Sequence, residues 1–489
     1  MSESSLSRRT LLQSSIGAAL APVLARAQQA GAPKPNILYM MSDDHAAHAI
    51  SAYGSKINKT PNIDRIANEG MRMDNCFATN SICTPSRGAV LTGQYSHKNG
   101  VYTLADAIDP KKTTVAHLLR DAGYNTAMIG KWHLKTDPQG FDYWNILPGQ
   151  GKYYDPDFIT KDGTRKHEGY CTDLIGDFSL DFLKNRDKSK PFFLMSHQKA
   201  PHRAWQPAPK YATWLYNETI PEPDNLYEDM SKRSAAAQRA TLRVGDDFTE
   251  ADLKVPRPVG LSQEQMRKWA YQVYIKDYLR CIRSVDDNVG RLLDYLDAEG
   301  LKDNTIVIYT SDQGFFLGDH GWFDKRFMYE ETMRMPFLVR YPKHIQPHTT
   351  NSDMVLNVDF APTFLEYADQ KAPDWMQGRS FAQNLGGKTP PDWRQSMYYR
   401  YWMHLGGGHT VTAHYGVRTR THKLIYYYGK ALGKNGAVDK PTPPEWEMFD
   451  IEKDPREMRN VYDDPAYASM RETLKKELYR LKDYYQDTE

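Results

Sequence analysis

A cysteine, three aspartates, a glutamine, two lysines, an arginine and two histidines stand in short clusters along this 489-residue chain, and each type can do chemistry. Asp43-Asp44 and Asp312-Gln313 offer only oxygen donors, a hard set that suits Ca²⁺, with Mg²⁺ as the alternative, rather than zinc. No H-E-x-x-H or C-x-x-C pattern competes for a transition metal. Cys83-Thr84-Pro85-Ser86-Arg87 is followed by Gly88 and Leu91-Thr92-Gly93. Pro85 suits the first turn of a helix predicted over 86–93, which places residue 83 at the positive end of its dipole, where an oxyanion is favoured. Arg87 lies one turn on, placed to hold an anion or a modified side chain. Gly130-Lys131-Trp132-His133, Pro201-His202 and the run Asp319 to Arg326, which contains Lys325, add cations and proton-transferring imidazoles.

These clusters share one kind of place. The apolar run 36–41 reads as a buried strand and ends just before Asp43. A helical spacing over 114–123 leads into a strand over 125–129, which ends at Lys131. A third strand, 191–195, ends near His202, and the long helical stretch 264–296 feeds a strand over 304–309 that ends before Asp312. Strand, polar loop, helix, strand is the grammar of an α/β domain with a large, mostly parallel sheet flanked by helices. Ligands of such sheets sit off the carboxyl ends of the strands. Residues 34–384 are read as this catalytic domain, with 205–262, rich in Pro and charge, as a peripheral insertion. After about 385 the texture changes to Tyr-rich runs, read as a smaller C-terminal subdomain over 385–489 with an antiparallel sheet closed by a helix at 468–485.

Composition excludes some partners. Lys and Arg total 63 against 61 Asp and Glu, a net charge of +2 that Arg8, Arg9, Arg26 and Glu3 account for by themselves. The remainder is close to neutral, so nothing suggests nucleic acid, and attraction of an anion must be local to a cleft. Ser7-Arg8-Arg9-Thr10-Leu11-Leu12, an apolar stretch over 16–24 and Ala25-Arg26-Ala27 read as a twin-arginine export signal over 1–27. Its apolar part is too short for a permanent membrane anchor. The expected destination is periplasmic or secreted, with the export machinery as a partner. Of the cysteines Cys76, Cys83, Cys171 and Cys281, at most one pair could cross-link if Cys83 is used chemically.

The Cys-x-Pro-x-Arg pentapeptide, the G-K-W-H and P-H elements, and the strand-end aspartates resemble type I sulfatases of the alkaline-phosphatase-like superfamily across nearly the whole chain. The resemblance implies an α/β catalytic fold and oxidation of Cys83 to formylglycine by a formylglycine-generating enzyme. It implies Asp43, Asp44, Asp312, Gln313 and residue 83 as metal ligands; the family usually has Asn where Gln313 stands. Lys131 and Lys325 match sulfate-binding lysines, His133 a base, and His202 an acid for the leaving oxygen. The implied reaction is a double displacement: a hydroxyl of the aldehyde hydrate attacks sulfur, and collapse of the hydrate then releases sulfate and restores the aldehyde. The run 311–330 looks similar to carbohydrate sulfatases of N-acetylglucosamine-6-sulfatase type, as does Ala413-His414-Tyr415-Gly416-Val417-Arg418-Thr419. His404, His409, His414 and Arg418 then either line a sugar subsite or are hairpin residues away from the pocket. Rival readings are a phosphonate or phosphate ester hydrolase of the same superfamily, a general arylsulfatase, and a non-catalytic carbohydrate-binding protein.

Overall fold

The strand Asn36–Ser42 is buried along its whole length, as a continuous apolar run must be when both faces of a parallel sheet are covered. It is the middle of a ten-stranded sheet. The strand order is Thr349–Asn351, Met71–Met73, Phe337–Arg340, Thr305–Ser311, Asn36–Ser42, Phe192–His197, Asn125–Lys131, Tyr143–Leu147, Asp157–Thr160 and Gly163–Lys166. The five strands from Thr305–Ser311 to Tyr143–Leu147 run parallel, whereas Phe337–Arg340 runs antiparallel to both its neighbours and Asp157–Thr160 pairs antiparallel at the other side. This computed structural model describes residues 33–489, so the export-signal reading of 1–27 lies outside the described residues.

Register brings the chemical segments together. Ser42 pairs with Ser311, Met41 with His197, and Gly130 with His197. Four strands therefore end along one edge of the sheet; Lys131 closes one of them, and the loops after the other three carry Asp43, Lys199 and Asp312.

One face of the sheet is covered by the helix Gln263–Ala298, capped by Ser262 and Gln265, with Cys171–Asn185 and Pro61–Asn68 beside it. The other is covered by Val115–Asp121 and Phe360–Tyr367. Residues 35–489 form one compact unit that also holds a four-stranded antiparallel sheet. Its strands are Ser396–Tyr401, His414–Thr419, His422–Tyr427 and Glu445–Asp450. The helix Ala468–Tyr484 closes it through Leu474, Leu478 and Leu481, one stripe at helical spacing.

The stretch 205–262 adds no strand to either sheet among the described residues, yet it is more than a rim. Trp205 packs on Tyr274 at 4.5 Å and Phe248 on Phe323 at 4.5 Å between ring centroids. All four cysteines are free and buried. No helix among the described residues is long and apolar enough to cross a membrane.

Candidate active site

The helix with Pro85 starts earlier than expected, spanning Cys83–Thr92, so Cys83 itself occupies the first turn. Pro85 is tolerated there because its missing N–H has no carbonyl to bond inside the helix. Ser86 Oγ donates to the Asp312 carbonyl and accepts from Asn357 Nδ2 at 2.9 Å, which fastens this helix end to the strand Thr305–Ser311. Cys83 Sγ then lies 3.3 Å from Asp43 Oδ1. Burial pushes the thiol up to about 12; Lys325 opposes that shift, and Asp312 and Asp44 add to it.

Asp43, Asp44 and Asp312 present carboxylate oxygens within 4.8 Å of one another, and Asp43 groups equally closely with Cys83 and His202. Asp44 adopts a left-handed backbone, φ 68°, and its N–H donates to Asp312 Oδ1 at 3.2 Å. Tyr278, on the long helix, donates to the Asp44 carbonyl at 2.7 Å and holds this loop from behind. Burial and the neighbouring carboxylates raise Asp44 to about 7 even with the Lys325 ammonium at 2.6 Å. For Asp312, burial is outweighed by Arg87, Lys131 and Lys325, and the carboxyl is held below its usual range.

These residues fit a hard divalent cation. Gln313 donates from Nε2 to Asp44 Oδ1 at 2.5 Å, while its Oε1 is buried with no hydrogen-bond partner. An orphaned amide oxygen beside three crowded carboxylates is what an oxygen-ligated cation would satisfy. Gln therefore keeps the acceptor that Asn would supply.

The cations divide into two jobs. Lys131 Nζ donates to Asp43 and to Gln150 Oε1, and Lys325 Nζ to Asp44. Burial, then Lys199, drives the Lys131 amine well below its ordinary value, whereas the Asp44 carboxylate overcomes burial and raises Lys325. Arg87, expected to hold an anion or the modified side chain, donates to Asp312 Oδ2 at 2.9 and 3.2 Å and to the Lys131 carbonyl. It ties two strand ends together and orients one carboxylate.

Both motif histidines reach the site. His133, with φ 56°, places Nδ1 3.3 Å from Thr84 Oγ1. Burial, Lys131 and Arg87 hold it far below its usual range, so it stays neutral and able to accept a proton. His202 Nδ1 faces the Arg203 carbonyl at 2.7 Å and must carry its hydrogen there, which leaves Nε2 directed to Asp44 at 3.8 Å. Burial and the nearby lysines keep this ring neutral too, and an arriving anion offsets those lysines.

The C-terminal residues divide. His409 reaches the site, with Nε2 3.5 Å from Asp324 Oδ2 and from Arg203 Nη1. His404, His414 and Arg418 make no hydrogen bond or ion pair with the strand-end cluster. His404 bonds the Lys440 carbonyl and the Ala413 N–H, and His414 stacks among Tyr399, Tyr401 and Phe327. Arg418 pairs with Glu330 at 3.1 Å over the Phe77 ring. The partners of these three lie within the small sheet and at its contact with Glu330 and Phe77.

Sequence reasoning missed Asp324, Arg326, Gln150 and Lys199. Asp324 and Arg326 flank Lys325 with φ of 77° and 93°, and join each other at 3.2 Å. Their types and left-handed turns are not legible as a motif, since a run of charged residues reads equally as solvated loop. His320, within the run Asp319 to Arg326, is buried against Glu228 at 2.7 Å. Burial would lower it, but Glu228 and Glu331 raise it to about 9. A raised histidine stabilises the fold fully below its unfolded value, and that contribution disappears as pH rises through the folded one. Thermal melts should therefore lose on the order of 3 kcal/mol between about pH 6.5 and 9 through this group. His320→Gln should flatten that interval; an unchanged slope would refute the assignment.

A large mixed, mostly parallel sheet with catalytic groups at its carboxyl edge, plus a small antiparallel C-terminal sheet, defines an alkaline-phosphatase-like sulfatase fold. Residues 35–370 match the sulfatase family, and 318–484 match the C-terminal region of N-sulphoglucosamine sulphohydrolase. The chain belongs to the sulfatase family and is a sulfuric ester hydrolase. It is 44% identical to an N-acetylglucosamine-6-O-sulfatase of Bacteroides thetaiotaomicron over 95% of this chain and 89% of that one. A structure solved in complex with its substrate D-glucosamine-2-N,6-O-disulfate superposes with TM-score 0.89 at 44% identity, covering 93% of this chain and 99% of the other. A phosphonate monoester hydrolase from Silicibacter pomeroyi, TM-score 0.72 and 21% identical over 93% and 96% of the chains, shares the fold alone.

Proposed function

We propose that the chain removes the 6-O-sulfate of a sulfated glucosamine or of a glycan containing it, with Cys83 converted to formylglycine and Ca²⁺ held by Asp43, Asp44, Asp312 and Gln313. The observation that carries this reading is the place of Cys83, at the N-terminus of the helix Cys83–Thr92 with Sγ 3.3 Å from Asp43 Oδ1 and grouped with His202. Its thiol sits among carboxylates and lysines, yet burial pushes it up to about 12, so it stays protonated and inert as a sulfur nucleophile. Oxidation to an aldehyde, hydrated to two hydroxyls on one carbon, supplies the oxygen nucleophile that the spot lacks. Bound Ca²⁺ would draw charge from the sulfuryl oxygens.

The chain's own side chains do the rest. Lys131 and Lys325 flank the position of the sulfuryl group and neutralise its oxygens. Arg87 holds Asp312 in orientation. His202 presents Nε2 towards the leaving oxygen, and neutral His133 accepts a proton when sulfate is released. Asp324, Arg326 and His409 stand beside Lys325 and offer a carboxylate, a guanidinium and an imidazole to sugar hydroxyls. The substrate of the superposed relative, a 6-O-sulfated glucosamine, supports the same class here. The partners that follow are a formylglycine-generating enzyme in the cytoplasm and the twin-arginine machinery, which exports folded proteins to a periplasmic or secreted destination.

The test is a desulfation screen with calcium present, using 6-O-sulfated N-acetylglucosamine, glucosamine-2-N,6-O-disulfate, and paired aryl sulfate and aryl phosphonate esters. Release of sulfate from the 6-O-sulfated sugars is expected to exceed turnover of either aryl ester. Faster hydrolysis of the phosphonate, or of the aryl sulfate alone, would overturn the substrate reading.

A further inference from the structure

Two residues beyond the strand Phe192–His197, a further lysine points into the protein. Lys199 is 4% exposed, and among the described residues its Nζ has neither a carboxylate nor a hydrogen-bond acceptor; it lies 4.8 Å from the centroid of the Tyr153 ring. Nine other lysines and arginines are buried among the described residues, each 6% exposed or less, and every one is ion-paired. Lys199 is the exception. A largely buried ammonium over an aromatic face, with no counter-ion, is costly, and the cost is offset when an anion arrives.

Its surroundings say which anion. The Lys199 carbonyl accepts the His202 N–H at 3.0 Å, and Tyr153, whose ring carries the ammonium, donates its hydroxyl to the His202 carbonyl at 2.5 Å. Lys199 is thus built into the same loop that presents the His202 imidazole to Asp44. Burial lowers the Lys199 amine, against the pull of Cys171, Asp44, Cys281 and Cys83, and after burial Lys199 is the largest influence on the Lys131 amine.

We propose that Lys199 is a positioning residue for the anion, a third cation of the sulfate pocket whose missing counter-ion is the sulfuryl group of the substrate. Lys131 and Lys325 each face a carboxylate as well, Asp43 and Asp44, and so share their charge between it and the sulfuryl oxygens. Lys199 supplies the uncompensated positive charge that makes the pocket select an anion. The same charge repels a divalent cation. Sulfate affinity and calcium affinity therefore respond to Lys199 in opposite directions, which a merely structural lysine would not produce.

The inference rests on the reading of Lys131 as a sulfate-binding group, and the experiment separates the two. Inorganic sulfate is the probe, as a competitive inhibitor of the calcium-loaded, formylglycine-containing enzyme; calcium binding to the same variants is followed by calorimetry. Lys199→Met is expected to raise the sulfate inhibition constant about tenfold and to tighten calcium several-fold, without lowering the melting temperature. Lys199→Arg, which keeps the charge, is expected to stay within about threefold of the parent for sulfate. Unchanged sulfate inhibition in Lys199→Met, with inhibition lost in Lys131→Met, overturns this inference alone. Joint loss of sulfate binding, calcium binding and melting temperature in Lys199→Met also overturns it and marks a packing role. Unchanged inhibition in Lys131→Met overturns the pocket, and this inference with it.

Discussion

Replacing Cys83 by alanine is expected to lower kcat/KM on a 6-O-sulfated glucosamine by at least about 10⁴-fold while leaving the fold intact, because it removes the nucleophile's only precursor. The side chain is buried and its one polar contact is the 3.3 Å approach to Asp43, so deletion costs on the order of 1 kcal/mol of stability. Cys83→Ser is the sharper variant. A serine hydroxyl at the same spot can displace the alcohol from sulfur and take up the sulfuryl group. It has no second hydroxyl on its carbon with which to expel sulfate afterwards. The expected behaviour is a single turnover, followed by a protein whose mass is higher by one sulfuryl group on the peptide holding residue 83. Sustained turnover by Cys83→Ser, or full activity of a parent protein whose Cys83 retains its thiol, would remove the aldehyde from the account. Mass spectrometry of that peptide in the active parent decides the second point.

The chemistry was legible because it sits in loops that follow apolar strands, where residue type and position carry information together. Asp43, Lys131 and Asp312 could be placed on one sheet edge from three short apolar runs, since parallel strands with helical crossovers align their carboxyl ends. What failed to show was the identity of partners far apart in the chain. Arg87 was visible one turn beyond Cys83, but its partner Asp312 lies 225 residues away, and nothing local to Arg87 says that its guanidinium turns to that carboxylate. The partners of Arg418 and His414 were hidden for a related reason. Their strand is buried on both faces except at its end, so polar side chains on it are obliged to find internal partners, Glu330 and a group of aromatic rings. A polar residue in a half-exposed strand reads the same way in sequence. The direction of Phe337–Arg340 was also hidden, because a four-residue apolar run has no periodicity that distinguishes parallel from antiparallel pairing.

Chelation of divalent cations is expected to abolish activity and to lower the melting temperature by a few degrees, and the second readout is the more informative. Asp43, Asp44 and Asp312 crowd together with Asp324 nearby, and the field of that group is strong enough to raise Asp44 to about 7 by burial and mutual repulsion despite Lys325. A cation bound only by the folded chain stabilises it by about 2.7 kcal/mol when present at roughly one hundred times its dissociation constant. In a chain of this size that corresponds to a shift of a few degrees. Ca²⁺ should restore both activity and melting temperature, Mg²⁺ less completely because a large oxygen set with a long glutamine arm suits the wider coordination sphere, and Zn²⁺ should restore neither. Asp312→Asn supplies the control. It leaves Arg87 buried without its carboxylate, which by itself costs about 3–5 kcal/mol, and it removes one ligand. Its melting temperature should therefore start lower than that of the parent and no longer respond to calcium. A parent protein whose melting temperature ignores both chelator and calcium, while hydrolysis continues, would show that Asp43, Asp44 and Asp312 hold one another through Lys131, Lys325 and Arg87 alone.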